Sequence, residues 1–340
     1  MSRARAWTLN AYPKGEPTAD LFTLQDVDLA EPAAGQAEVE VLAFSVDPYM
    51  RGRMRPDVKS YIPPFALGEP LDGGAVARVV RSEDPSLAPG DLVTGMMGMG
   101  WRDRAVVQAG LVQRVDASAV PVTAYLGVLG MPGLTAWAGL TKLIAPKQGE
   151  TVFVSGAAGA VGSLVCQLAK RMGCTVIGSA GTEEKRDWLV REAGIDAALD
   201  YKGHDAASFT RALGEVAPRG IDGYFENVGG HQLEAVLNLI NDRGRIALCG
   251  LISQYNNTAP EPGPANFVNL LARQVRLEGF IVSRFMDQAP QFLAEVAPLV
   301  ARGEIKAEET VYEGLESGPE AFAGLFTGAN TGKAVVRIAG

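Results

Sequence analysis

From Thr151 to Arg302 the chain alternates short apolar runs with segments of helical period, and no other feature narrows its possible folds as far. The runs are Thr151–Ser155, Thr175–Ser179, Ala197–Asp200, Gly223–Glu226, Arg245–Cys249 and Arg276–Val282. Between and after them lie Val161–Met172, Glu183–Ala193, Ala206–Val216, His231–Ile240, Ala265–Gln274 and Ala289–Arg302. In the first of these, Val161, Leu164, Val165, Leu168, Ala169 and Met172 fall on one apolar stripe. Strands joined by connections of helix length pair in parallel, and the helices cover the sheet. The alternation therefore predicts a doubly wound parallel α/β sheet.

The first strand runs through Ser155-Gly156-Ala157-Ala158-Gly159-Ala160-Val161-Gly162 into the first helix. A helix N-terminus turns backbone N–H groups outward, and its dipole favours an anion. Glycines there admit a pyrophosphate and let helix pack on strand. The spacing is G-x-x-G-x-x-G, which equally suits a plain tight turn. The tip of the second strand is more informative. In a dinucleotide fold a carboxylate at that tip bonds the ribose 2′-OH of NAD, whereas a nearby cation accommodates the 2′-phosphate of NADP. Here the tip reads Ser179-Ala180-Gly181-Thr182 without a carboxylate, and Lys185 and Arg186 follow. Glu183 and Glu184 suit the first turn of the next helix. The pattern favours NADP over NAD.

Residues 1–125 read differently. Val39–Phe44, Gly74–Val80, Leu92–Gly95 and Arg104–Val107 are short β-like runs punctuated by Pro63-Pro64, Pro85 and Pro89-Gly90. They predict a small barrel-like β domain. Pro121–Leu143 turns helical around Met131-Pro132-Gly133-Leu134-Thr135. After Gly303 short strands return at Glu309–Tyr312 and Lys333–Ile338, about a helix at Gly318–Phe326, so 304–340 is expected to rejoin 1–125 and 126–303 to form the α/β domain. A net charge of −8 argues against nucleic acid as the main partner. No apolar run approaches the ~20 residues of a membrane span. No apolar signal core follows the basic start Met1–Trp7, and Cys166, Cys174 and Cys249 are scattered without metal spacing. These features fit a cytoplasmic protein with reduced thiols.

Six distinctive blocks stand in order along nearly the whole chain: Asp47-Pro48-Tyr49-Met50-Arg51-Gly52-Arg53-Met54, Met131–Trp137, Ala157–Gly162, Glu226-Asn227-Val228-Gly229-Gly230, Cys249–Asn256 and Gly328–Lys333. With them the sequence resembles the zinc-independent medium-chain dehydrogenase/reductases. Within these it is most similar to the leukotriene B4 dehydrogenase, prostaglandin reductase and alkenal double-bond reductase group, which includes curcumin-reductase-like enzymes. The resemblance implies a GroES-like β-barrel catalytic domain plus a Rossmann domain, NADPH as cofactor, and a homodimer. It implies cofactor contacts from Met131, Thr135, Ala158, Gly159, Ala160, Val161 and Gly162. Lys185 falls where the family holds the 2′-phosphate, with Ser179 and Gly181 along the adenosine and Tyr201 on the adenine side. Asn227 falls at the nicotinamide ribose; Cys249, Ile252, Ser253, Tyr255, Phe280 and Val282 fall at the nicotinamide end. Asn330 reaches the cofactor from the tail, and Tyr49 lines the substrate pocket.

Zinc-dependent relatives polarise a carbonyl with a metal held by converging Cys, His and carboxylate ligands. The first domain contains no Cys and no His; the two histidines are His204 and His231. A catalytic zinc is therefore not expected. Conjugate reduction of an α,β-unsaturated aldehyde or ketone fits better: hydride reaches the β-carbon, hydrogen bonds stabilise the developing enolate, and a proton from solvent or a hydroxyl then reaches the α-carbon. Tyr255 is the first candidate for that bond and Tyr49 the second. An NADPH:quinone oxidoreductase and a non-catalytic NADPH-binding protein are the alternatives. The Asn- and Pro-rich loop Tyr255–Ala265 has the length of a lid, and Gly279–Val282 has the makings of an edge strand that pairs with a second copy.

Overall fold

The structure is a computed structural model and describes residues 2–338. It divides into two compact units: residues 131–308, and the flanking segments up to Gly130 and from Glu309 onward. The first segment holds β1 (Ser2–Leu9), β2 (Phe22–Leu29), β3 (Gln36–Ser45), helix α1 (Tyr49–Arg53), β4 (Ala75–Ser82), β5 (Leu92–Gly95), β6 (Arg104–Gln108) and β7 (Gln113–Arg114). The spine is β3, buried along nearly its whole length. One edge pairs with β4, with register shifts at Glu38/Val39 and Val41/Ala43; the start of its other edge pairs with β6. Such bulges bend a strand and let a small sheet curl round its core. Trp101 fills that core, stacked on Phe22 at 5.7 Å and edge-on to Phe322 at 6.0 Å.

The second unit begins with α2 (Met131–Ala138), which runs on as a π-helical turn over Gly139–Ile144. There follow β8 (Thr151–Val154), α3 (Ala160–Arg171), β9 (Thr175–Ser179), α4 (Glu183–Arg191), β10 (Ala197–Leu199), α5 (Ala206–Val216), β11 (Ile221–Glu226), α6 (Gly230–Leu239), β12 (Ile240–Leu248), α7 (Val268–Ala272), β13 (Arg276–Gly279) and α8 (Ala289–Ala301). The six strands lie in the order β10-β9-β8-β11-β12-β13, all parallel. Every residue of β8 is buried, as in a central strand covered on both faces. The order reverses between β8 and β11, which opens a crevice beyond their C-terminal ends.

Several boundaries differ from the sequence reading, three of them near the site or its flanking helices. The last strand ends at Gly279 rather than Val282, because the chain turns inward there. Phe280 packs edge-on to Phe225 at 6.2 Å, and Val282 opens a 3-10 turn. The alternation of two buried residues imitates a strand without being one. Ile240 belongs to β12, and the helix expected over Ala265–Gln274 shrinks to α7.

The tail returns to the first unit with β14 (Glu309–Glu313), α9 (Gly318–Thr327) and β15 (Lys333–Arg337). Strand β15 pairs with the second half of the β3 edge, Val335 opposite Ser45. Lys333 is 3% exposed. Its ammonium donates to the Val46 carbonyl at 2.8 Å and to Asp47 Oδ1 at 3.0 Å, while Ser45 Oγ donates to Asp47 Oδ2. This buried pair fixes the end of β3 just before α1. Among the described residues no helix is long and apolar enough to cross a membrane.

Candidate active site

The crevice of the second unit starts at the turn after β8. Gly156 sits at φ +59°. A Cβ on Gly162 would lie 2.4 Å from the Gly156 carbonyl oxygen and 2.8 Å from Ala157 Cα. Both glycines are thus required by the path of the backbone, whatever the loop binds. The chain through Ala158 and Gly159 then delivers Ala160, Val161 and Gly162 as the first turn of α3, where N–H groups lack partners within the helix.

On one side of this turn lie the tips of β9 and β10. The side chain of Ser179 is fully buried and donates to Gln232 Oε1 at 2.6 Å, so it braces α6 rather than facing the crevice. Arg186, read from the sequence as a second cation, is committed to Asp200 at 3.0 Å. Lys185 keeps company with a different one. Its ammonium is held below the usual lysine value by burial and by the like charge of Lys202. A Cβ on Gly181 would stand 2.8 Å from Lys202 Cε and 2.9 Å from the Tyr201 hydroxyl. Tyr201 and Lys202 therefore pack against Gly181, and Lys185 and Lys202 bring two positive charges near one another. The sequence reading missed Lys202; the signal was its place beside Tyr201, just past the third strand.

On the other side are the tips of β11 and β12. Asn227 donates its backbone N–H to Ser155 Oγ at 2.9 Å and its side-chain amide to the Ser155 carbonyl at 2.7 Å, stitching β11 to β8. Glu226, fully buried, is the hub. Its Oε1 accepts from Ser155 Oγ at 2.7 Å and from the N–H groups of Val228 at 2.6 Å and Gly229 at 2.9 Å; its carbonyl accepts from Cys249 and Gly250. Burial raises this carboxyl, against the donors Tyr224, Ser155, Gly229 and Val228. The Cys249 thiol is pushed up to about 12 by burial and by the charge of Glu226, so it is an un-ionised wall and not a nucleophile. The N–H groups of Ile252 and Ser253 bond the carbonyls of Asn227 and Val228, and Ser253 Oγ donates to Val228 at 2.6 Å. Tyr255 follows, with its hydroxyl over Gly250; burial raises its phenol, which stays a neutral donor.

The remaining sequence-derived residues divide by unit. Thr135 donates to the Met131 carbonyl at 2.8 Å within α2. Phe280 and Val282 are nearly buried; Phe280 packs under the π-helical turn, where a Cβ on Gly139 would meet its ring at 2.8 Å. Tyr49 and Asn330 belong to the other unit. Tyr49 opens α1, its phenol raised by burial and by Asp47; Asn330 donates to the Gly332 carbonyl at 2.8 Å in the turn before β15.

Family models match at both parts of the chain: "N-terminal domain of oxidoreductase" over residues 5–115 and "Zinc-binding dehydrogenase" over residues 160–298. A 2-alkenal reductase (NADP(+)-dependent) of Nicotiana tabacum is 43% identical over 334 residues, covering 97% of this chain and 96% of its own. The chain belongs to the zinc-independent medium-chain dehydrogenase/reductase family. An NADPH-dependent curcumin reductase of Escherichia coli K12 is 42% identical over 344 residues, covering 99% of this chain and 98% of its own. Among solved structures of the family, CurA in complex with NADPH from Vibrio vulnificus superposes with a TM-score of 0.92 at 39% identity, covering 99% of each chain. The architecture is thus the family's GroES-like sheet domain with a Rossmann domain.

Proposed function

We propose that this family member reduces the C=C bond of α,β-unsaturated aldehydes and ketones with NADPH. The observation that carries the cofactor choice is the meeting of Lys185 and Lys202 beside Gly181. Two like charges at the tip of the second strand favour an anion there, and a 2′-phosphate is such an anion. A side chain at position 181 would collide with Lys202 and Tyr201. The glycine turn does not discriminate, since its glycines are needed by the fold itself.

NADPH, when bound, supplies the hydride. The residues of the chain supply position and electrostatics. In this reading the first turn of α3 faces the pyrophosphate, Asn227 faces the nicotinamide ribose, and Cys249, Ile252 and Ser253 wall the nicotinamide end. Tyr255, kept neutral, donates a hydrogen bond to the carbonyl oxygen on which enolate charge develops, as an oxyanion-hole donor does. Tyr49 lines the substrate pocket. The named activities of the tobacco and bacterial relatives support the reaction class. The open edge of β13 is where a second copy would pair in a homodimer.

The test is consumption of NADPH and NADH against alkenals, alkenones and quinones, with wild type beside Tyr255→Phe. Alkenone turnover with NADPH preferred, and a kcat about tenfold lower in Tyr255→Phe at similar NADPH affinity, is the expected result. Turnover of quinones alone would replace the reading with quinone reduction. An unchanged kcat would remove Tyr255 from it.

A further inference from the structure

We propose that Glu226 is a positioning residue for hydride transfer: its unneutralised carboxylate, acting from behind Cys249, favours the cationic oxidised nicotinamide ring over the neutral reduced one. This rests on the NADPH reading and on the place it gives Cys249, and it holds for whichever acceptor takes the hydride. Among the described residues the buried acids are Glu38, Asp47 and Glu226. Glu38 is paired with Arg81 and Arg104, and Asp47 with Lys333. Glu226 is the most deeply buried of them, at 0% exposure, yet the groups that bond its carboxyl are all neutral. Buried carboxylates ordinarily have a counter-ion, because the low dielectric around them makes a lone charge costly. A buried acid kept without one calls for an explanation.

The turn that Glu226 holds does not supply that explanation. Ser155 Oγ and the N–H groups of Val228 and Gly229 all bond Oε1, and a glutamine oxygen could accept from the same three donors. Oε2 is buried without a well-formed hydrogen bond, and Tyr224, on the same face of β11, acts on the carboxyl electrostatically. What an amide would lack is the charge, and the charge is felt toward the crevice. The Cys249 N–H bonds the Glu226 carbonyl at 2.9 Å, and its thiol is raised by burial and then by Glu226. Surrounding groups leave the charge standing. Tyr224 on β11 and Cys249 on β12 are held un-ionised by burial, and Ser155 of β8 and Gln232 of α6 are neutral. His231 of α6 interacts with Tyr201, His204 and Asp205 instead. When hydride leaves C4 of a dihydronicotinamide with its electron pair, the acceptor gains the pair and the ring is left with one positive charge. That charge is the counter-ion Glu226 lacks, and it is present only as the reaction proceeds.

The decisive measurement needs no acceptor: calorimetric Kd values for NADP+ and NADPH at pH 8, in wild type and in Glu226→Gln. The variant is expected to bind NADP+ about fivefold more weakly and NADPH within about twofold of wild type, as loss of one partly screened charge allows. A hub that only shapes the turn would weaken both cofactors alike, so equal losses, or a larger loss for NADPH, overturn the proposal. Ser155→Ala removes one donor to Oε1 but keeps the charge, and its ratio of the two Kd values should stay near that of wild type. A ratio shifted as far as in Glu226→Gln would overturn the role of charge. Should Glu226→Gln fail to fold, wild type still decides. Its preference for NADP+ should decline from pH 8 to pH 5 as the raised carboxyl takes up its proton. The 2′-phosphate is common to both cofactors and cancels in the ratio, so a flat ratio overturns the proposal. A shifted ratio in a protein that reduces no enone supports the charge and sinks conjugate reduction alone. Enone turnover with an unshifted ratio sinks the charge and leaves the reaction standing.

Discussion

Replacing Lys202 by alanine separates two effects that usually move together, stability and ligand affinity. Lys202 presses on Lys185 in the absence of any ligand, lowering the affinity of that ammonium for its proton. Its removal relieves a like-charge contact of a few tenths of a kcal/mol, so the ligand-free protein should become slightly more stable, by about a degree in Tm. NADPH should bind more weakly at the same time. A unit charge about 4 Å from a unit countercharge is worth about 1 kcal/mol in water and about 4 kcal/mol at an effective dielectric constant of about 20. Half-buried Lys185 lies between these limits, so Lys185→Ala should raise the NADPH Kd about thirtyfold, for about 2 kcal/mol. The more exposed Lys202 lies near the watery limit, and Lys202→Ala should raise it about fivefold. NADH, lacking the 2′-phosphate, should lose almost nothing in either variant. Calorimetric Kd values for both cofactors, taken with thermal unfolding of the free protein, check all of this. Equal losses for NADPH and NADH, or a destabilised Lys202→Ala, would refute the phosphate reading.

Three further outcomes follow from the geometry. Gly162→Ala should destabilise the second unit by about 2 kcal/mol or more in urea unfolding, because its Cβ meets backbone atoms of Gly156 and Ala157 rather than a movable side chain. Glu226→Gln should flatten the pH dependence of stability. The folded carboxyl titrates above its ordinary 4.5, so wild type is expected to lose stability as pH rises from about that value through the folded one, and the amide cannot follow. Lys333→Met should cost about 3–5 kcal/mol by stranding buried Asp47, with much of it recovered in Lys333→Met/Asp47→Leu.

The parallel sheet was legible because its central strands are largely apolar and its helices carry stripes; both patterns survive without knowledge of contacts. The glycine turn was legible as a turn but not as a site, since Gly156 and Gly162 are demanded by the backbone alone. Charge pairing was not legible. Arg186 and Lys185 are neighbours in sequence, yet Arg186 is neutralised by Asp200 from the next strand while Lys185 meets Lys202 from the same region. Glu226 stood within a block of family resemblance but had no visible role. Its importance comes from three strand ends that converge on one residue, those of β8 and β11 on its carboxyl and that of β12 on its backbone carbonyl, a long-range fact. Phe280 and Val282 misled for the opposite reason, since burial with a spacing of two mimics a strand.

Strand β3 completes its second edge only with β15, and Lys333 reaches Asp47 across 286 positions of chain. During synthesis the second unit can fold while the first still lacks its last strand. Until the tail emerges, half of one β3 edge stands open and Asp47 has no counter-ion, a state exposed to pairing with other chains. The order of events at the ribosome is therefore written into the topology: the α/β unit matures first, and the sheet unit closes around the last strand to arrive.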